Sequence, residues 1–327
     1  MIKRILIIRP DKIGDLVLTL PMATVIKEKM PEAVVSFLVQ AYNAPLLDLA
    51  TDVDERVIYD TNSSLWKTVS LLRSTKTDAI FFFGSKFTLT LAAFIARIPV
   101  RVGRAYWWYS FLYNKKIYEH RKTAERNEAE YNIRMLQAIG VDPGPTPLPR
   151  LDHSKLPNVR LPVTDYVVFH VTTGGSTRPW SEEHFVDLAL KMKQQYDSAL
   201  ILTGVPADRE FLLRIAERMK HSLVNVHITC SNTLLELAAI LAGARLVVAC
   251  GTGPGHLAAA LGTPAIGLFP NVVSLSKERW GFRGLKAENI SPRVLPKPDC
   301  PQCKDCTCID EITVAQVMET INDLNIY

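Results

Sequence analysis

An α/β protein of two doubly wound domains in tandem is the fold class that the sequence predicts, and three observations predict it. The chain has 327 residues, long for one domain and enough for two with a core each. Short β-branched runs alternate with helical patterns, the βαβ rhythm of a parallel sheet covered on both faces. The rhythm stops at a cluster of prolines and then restarts.

In the first half the strand candidates are KRILIIR (3–9), AVVSFLV (33–39), RVIY (56–59) and DAIFFF (78–83). A helix is expected over Leu16 to Lys29 and another over ERNEAEYNIRMLQAIG (125–140). Pro143, Pro145, Pro147 and Pro149, followed by Pro157 and Pro162, suit neither a helix nor a central strand. They place the first domain at 1–150 and a Pro-rich linker at 151–163. The second domain, 164–310, begins with DYVVFHV (165–171) and a helix opening at Ser181, with Phe185, Leu188, Ala189 and Met192 as its apolar face. SALILTG (198–204), a helix from Asp208, VNVHIT (224–229), LLELAAILAG (234–243), RLVVAC (245–250) and PAIGLF (264–269) continue it. Thr313 and Gln316 form a capping box for a last helix within 311–327, expected to fold back toward the first domain.

Composition narrows the function. Hydrophobic residues are 48% of the chain and charged residues 22%, as in an ordinary globular protein. The formal charge of +5 suits an anionic small molecule or membrane face as well as a plain basic surface, and no run of Lys and Arg suggests a nucleic-acid partner. MIKRILIIRP is too short for a signal core and no long apolar span follows, so a cytoplasmic location is expected. Four of the six cysteines crowd into CPQCKDCTC as Cys300, Cys303, Cys306 and Cys308. Their spacing is unlike common zinc or ferredoxin sites, which favours a reduced loop over a bound metal.

Three strand ends carry chemistry. Asp15 follows Gly14 where the first strand turns into a helix, so it is either a helix-terminal cap or a catalytic carboxylate. Thr172, Thr173, Gly174 and Arg178 in HVTTGGSTRPW form a small-residue turn with a cation, either a plain turn or a phosphate cradle. Thr252, Gly253, Pro254, Gly255 and His256 open the helix of CGTGPGHLAAALGTP, the strongest anion-binding candidate. Its glycines do not make the dinucleotide fingerprint.

In their order, GDLVLTLP, PEAVVSFLV, the Arg-x-Trp of Arg178 and Trp180, TGVPADRE, TGPGHLAAALGTP and CIDEITVAQV resemble glycosyltransferase family 9, the lipopolysaccharide heptosyltransferases, over almost the whole chain. The resemblance implies a GT-B fold, two Rossmann-like domains facing an interdomain cleft, acceptor on the first and nucleotide sugar on the second. It implies inverting transfer, without a metal or other cofactor, from an ADP-activated heptose to a lipopolysaccharide or lipid-linked glycan, on the cytoplasmic face of the inner membrane. On this resemblance Asp15 is the general base, Arg178 stands near the donor phosphates, Glu210 meets the ribose, and Thr203, Gly204 and the loop from Thr252 to His256 complete the donor site. Lys12, Lys86, Arg101 and Arg104 are acceptor candidates, or else solvated surface charges. AYWWYSFLY (105–113) reads either as core or lid packing or as a membrane-facing surface. The chain departs from the family at Gly251, where an Asp is usual, in DAIFFFGSK, and at Asn127. Two other readings share the shape: a sugar-nucleotide epimerase, and a nucleotide-sugar-binding protein without transfer.

Overall fold

The computed structural model describes residues 2–84, 86–175, 177–221, 224–230, 232–293 and 307–327. The chain forms two compact units, Met1–Arg121 with Glu128–Lys155, and Lys122–Asn127 with Leu156–Tyr327. The crossing to the second unit thus falls after Lys155, and a short segment ahead of Glu128 also groups with the second unit. Leu151 bridges to Ala50, and Asp152 N–H donates to the Leu49 carbonyl at 2.7 Å, which keeps 150–155 on the first unit.

The first unit comprises β1 (Arg4–Ile8), α1 (Ile13–Val17), α2 (Pro21–Lys29), β2 (Val34–Val39), α3 (Ala44–Leu49), β3 (Glu55–Ile58), α4 (Leu65–Ser74), β4 (Ala79–Phe82), α5 (Phe87–Ile95), β5 (Val100–Arg104), β6 (Lys115–Ile117) and α6 (Glu128–Arg134). Its six parallel strands lie in the order β3-β2-β1-β4-β5-β6. The expected continuous helix from Leu16 to Lys29 is two helices. Pro21 opens the second one, where its missing N–H costs nothing, and its ring cannot continue the first.

The second unit comprises β7 (Tyr166–His170), α7 (Glu182–Tyr196), β8 (Ala199–Thr203), α8 (Arg209–His221), β9 (Val226–Thr229), α9 (Leu234–Ala242), β10 (Leu246–Cys250), α10 (Gly253–Ala260), β11 (Ala265–Leu268), α11 (Lys277–Trp280), β12 (Ala287–Ile290) and α12 (Val314–Asp323). The strand order β12-β11-β10-β7-β8-β9 repeats that of the first sheet, a doubly wound arrangement in each unit. Every residue of β7 and β10 is buried, which is why these central strands read as unbroken apolar runs.

α12 packs against α7 of the second unit, and Val314, Val317, Met318 and Ile321 share one core with Phe185, Leu188 and Met192. The apolar stripe needs an apolar partner, and the matching stripe of α7 supplies it. Trp180 Nε1 donates to the Ile312 carbonyl at 2.9 Å and fixes the approach to this helix. Ile321→Ala should therefore destabilise the second unit by about 2–4 kcal/mol. Calorimetry should show that loss in the second unit's transition and none in the first.

Candidate functional site

In doubly wound sheets a ligand crevice opens where the strand order reverses, beyond the carboxyl ends of the two central strands. In the first unit these are β1 and β4, and the chain leaving β1 passes through Arg9 and Asp11 into α1. Asp15 lies inside the first turn of α1, while Lys12 holds the N-cap position, so the capping role expected as one alternative is not realised. Asp15 Oδ1 instead accepts from Arg9 Nη2 at 2.7 Å, and Arg9 Nε donates to the Asp15 carbonyl at 3.1 Å. Thr19 Oγ1 donates to the same carbonyl at 2.7 Å.

Arg9 is buried, its guanidinium 5.6 Å from the centre of the Phe83 ring, 3.4 Å from Asp11 Oδ2 and 3.9 Å from Glu128 Oε1. Glu128 in turn pairs with buried Arg121. Arg121 Nη1 donates to Asn132 Oδ1 at 2.8 Å, and Asn132 Nδ2 donates to Leu18 O and Thr19 Oγ1, each at 3.1 Å. The network closes back on Asp15 through Thr19. Three carboxylates surround two guanidinium groups, and Asp11 absorbs the imbalance. Burial raises its pKa from 3.8 to about 6; Arg9 and Arg104 oppose the rise, while Asp15 and Glu128 add to it. Asp11 Oδ2 is buried and makes no hydrogen bond among the described residues. Gly84, at φ +55°, is pressed against it: a Cβ there would stand 2.3 Å from Asp11 Oδ2.

Lys12 and Lys86 are exposed at the N-caps of α1 and α5, and Arg104 ends β5 with its guanidinium 5.3 Å from the Trp107 ring centre. Arg101 does not join them. It stands near the start of β5, at the far end of the sheet from the crevice, and its guanidinium donates to Leu112 O at 2.9 Å and Ile98 O at 2.5 Å. These bonds tie the chain at Ile98 to that at Leu112, and they engage the guanidinium that was expected at the acceptor.

In the second unit the reversal lies between β7 and β10. Thr172 Oγ1 donates to Asp208 Oδ2 at 3.1 Å, and Thr173 Oγ1 donates to the Thr177 carbonyl at 2.6 Å, closing the turn that contains Gly174. α7 starts only at Glu182, capped by Ser181, so this turn does not abut a helix N-terminus. Thr203 is fully buried with its hydroxyl 2.9 Å from His170 Nδ1, and Gly204 packs against Asp208 and Leu212. Glu210 is exposed in the first turn of α8. Arg178 Nη2 lies 3.2 Å from Asp310 Oδ2, an ion pair that draws the turn Cys308–Glu311 beside the loop.

Thr252 is the N-cap of α10, with Gly253, Pro254, Gly255 and His256 forming the first turn. The first N–H groups of a helix lack intrahelical partners and carry its positive dipole end. Thr252 Oγ1 and His256 Nδ1 are both buried without a hydrogen-bond partner among the described residues. Each such orphan calls for a partner, whether a water or a ligand. Burial lowers the His256 pKa to about 3, and His170, also lowered by burial, to about 4, so both imidazoles are neutral near pH 7. His256 meets Phe282 edge-on at 4.8 Å, and the absence of a Cβ on Gly255 admits that ring, which a Cβ would approach to 2.0 Å. At Gly251 a Cβ would stand 2.6 Å from the Phe269 ring, so an aromatic face occupies the space of the expected carboxylate. Asn127 groups with this unit and donates to the Gly281 carbonyl at 3.0 Å, next to Phe282. Cys300, Cys303 and Cys306 lie outside the described residues.

The model of glycosyltransferase family 9 (heptosyltransferase) matches residues 72–292. The chain belongs to glycosyltransferase family 9. Its enzyme class is accordingly that of a glycosyltransferase. The matched span of this family 9 chain includes Gly84, Arg178 and the α10 turn, while Asp15 precedes it. Lipopolysaccharide heptosyltransferase 1 of Pseudomonas aeruginosa is 37% identical over 108 residues, 33% of this chain and 29% of that protein. The fold is similar to that of a family 9 glycosyltransferase from Veillonella parvula, with a TM-score of 0.82 at 18% identity over 98% of this chain and 97% of the other. It is also similar to Escherichia coli ADP-heptose lipopolysaccharide heptosyltransferase II, with a TM-score of 0.76 at 20% identity and 98% of each chain covered. These two likenesses establish the two-domain GT-B architecture.

Sequence reasoning missed Arg9, Asp11, Arg121, Glu128 and Phe269. The four-residue spacing of Asp11 and Asp15 beside Arg9 is the signal that could have found the first two. Because the folded value of Asp11 is raised, folding favours its protonated form: that stabilisation is full below pH 3.8 and is lost as the pH rises through about 6. Asp11→Asn should therefore be more stable than the wild type near pH 8, by up to about 2 kcal/mol after solvent screening, and the gap should close near pH 4 in urea titrations. Gly251→Asp should cost about 2–3 kcal/mol, read as a lowered unfolding midpoint, because the carboxylate has to displace the Phe269 ring.

Proposed function

We propose that this chain transfers a heptose or related sugar from an ADP-sugar to a lipopolysaccharide core or related glycan, with inversion and without a metal. The observation that carries the reading is the Arg9-clamped Asp15 at the strand-order reversal of the first unit. Arg9 takes Oδ1, and Oδ2 is the oxygen that would accept the acceptor hydroxyl's proton as that hydroxyl attacks the anomeric carbon. The attack comes opposite the departing diphosphate, through an oxocarbenium-like transition state. The acceptor is carried on the first unit and the donor on the second.

The leaving diphosphate is received by the N-terminus of α10, by Thr252 and by neutral His256 as a hydrogen-bond partner. Arg178 adds a positive charge by shifting from Asp310 to the phosphate. The charge that develops on the diphosphate is met by fixed dipoles and one guanidinium, so this chemistry needs neither a protonated leaving group nor a divalent cation. Neutral imidazole matters here, since a cationic His256 would have to be held inside an apolar contact with Phe282. The Phe269 face beside Gly251 favours a donor whose sugar presents fewer hydroxyls at that edge than a carboxylate would order.

The test is a panel of ADP-, GDP- and UDP-sugars with and without lipopolysaccharide core acceptors. Transfer from an ADP-sugar supports the reading; conversion of the nucleotide sugar without acceptor indicates an epimerase instead, and binding without turnover a non-transferring protein. Asp15→Asn should lower kcat by roughly 10²- to 10⁴-fold while leaving the donor dissociation constant unchanged. Unchanged turnover in that variant would sink the assignment of the base.

A further inference from the structure

At the end of β1 one guanidinium serves two carboxylates. Asp15 Oδ1 lies 2.7 Å from Arg9 Nη2, and Asp11 Oδ2 lies 3.4 Å from Arg9 Nη1, so the two acids take different nitrogens of the same fork. The Arg9 side chain is only 4% exposed, whereas those of Asp11 and Asp15 keep 29% and 24%. The cation is thus enclosed, and each carboxylate keeps an edge open to solvent.

Asp11 is held from several sides. Its carbonyl accepts from the Tyr42 hydroxyl at 2.7 Å and from Asn43 Nδ2 at 2.6 Å, and Gln40 Nε2 donates to the preceding Pro10 carbonyl. Gly84 closes in on the carboxylate, where no Cβ would fit. The charged groups that face Asp11 come from four places: Arg9 after β1, Asp15 in α1, Glu128 in α6 and Arg104 at the end of β5. Tyr42, from the loop after β2, is uncharged near neutrality because burial holds its phenol above the usual value. At Asp11 burial outweighs the two arginines, and the carboxyl changes charge at about pH 6.

We propose that Asp11 is a positioning residue for sugar transfer: ionised, it competes with Asp15 for Arg9 and leaves Asp15 the stronger base, and neutral, it yields Arg9 to Asp15 and weakens that base. The proposal rests on the reading of Asp15 as the base. Asp11 touches no reacting atom in this scheme. The hydroxyl proton goes to Asp15, the acceptor oxygen bonds to the anomeric carbon, and the diphosphate leaves with the electron pair of the broken bond. Two acids on one cation titrate as a coupled pair, and such coupling is mutual. The Asp15 charge raises the proton affinity of Asp11, so the Asp11 charge acts on Asp15 in the same sense. Transfer should therefore speed up as the pH rises through about 6 and Asp11 loses its proton. The ionised form that costs the fold stability at high pH is the form that serves the base.

Two measurements on the full chain test this. The first needs neither donor nor acceptor: carboxyl-carbon NMR of aspartate-labelled protein should show the Asp11 step near pH 6, moved to lower pH in Asp15→Asn. The second is transfer from ADP-heptose to a lipopolysaccharide core acceptor, followed as kcat/KM against pH, which reports groups of the free enzyme. Asp11→Asn mimics the neutral acid, so it should match the wild type near about pH 5 and fall roughly three- to ten-fold below it near about pH 8. A merely structural loss would lower the whole profile in parallel. The inference is overturned, with the function reading intact, if the two profiles run parallel or coincide. It is overturned whatever the transfer result if the Asp11 step stays in place in Asp15→Asn. A wild type that transfers no sugar at any pH while the coupled step is present overturns the function reading, and the proposed use of the coupling with it.

Discussion

The buried guanidinium of Arg9 is the group on which the rest of the first unit's site depends. A cation taken out of water at the end of a central strand is tolerable only if it is paired and fully hydrogen-bonded. Arg9 meets that condition with Asp15 at 2.7 Å and with Asp11 and Glu128 close by. Each partner is thereby constrained. Asp15 is aimed, Asp11 is pushed toward its protonated form, and Glu128 is shared with Arg121. Removing Asp15 takes away the carboxylate closest to a buried guanidinium, which is costlier than losing a surface ion pair elsewhere in the chain.

The second unit solves the opposite problem with the same strand order. Its crevice has few fixed charges: two neutral buried histidines, an unpartnered threonine hydroxyl and a helix N-terminus. Such dipoles need no reorganisation to meet a charge. One sheet topology therefore carries a crevice of paired charges in the first half and a nearly neutral one in the second. The difference lies wholly in the loops and helix starts at the carboxyl ends of the central strands.

The architecture was legible because burial on both faces forces continuous apolar runs, and the nine strands read from those runs are all present. β5, β6 and β12 escaped notice for physical reasons: β5 alternates with arginines, β6 has three residues with two lysines, and β12 is the polar AENI at a sheet edge. Asp15 was correctly placed at the head of a helix, but its choice of partner depends on side chains more than 100 residues away through Glu128 and Arg121. Sequence periodicity does not say which end of a strand a residue occupies in space. Arg101 and Arg104, three positions apart, accordingly divide between a structural tie and the neighbourhood of Asp11. Thr203 was assigned to the donor site on the family resemblance alone; that its hydroxyl lies 2.9 Å from His170 Nδ1 is a contact between strands that no local pattern announces.

The Phe269 ring sits between two glycines, Gly251 and Gly267, with no room for a Cβ on either: the built atoms would fall 2.6 Å and 2.4 Å from it. Ring and glycines are thus an interlocked set, and no member can change alone without a clash or a void. A carboxylate at position 251 would need a smaller side chain at position 269, and that smaller side chain alone would leave a cavity, so the two positions are coupled through packing.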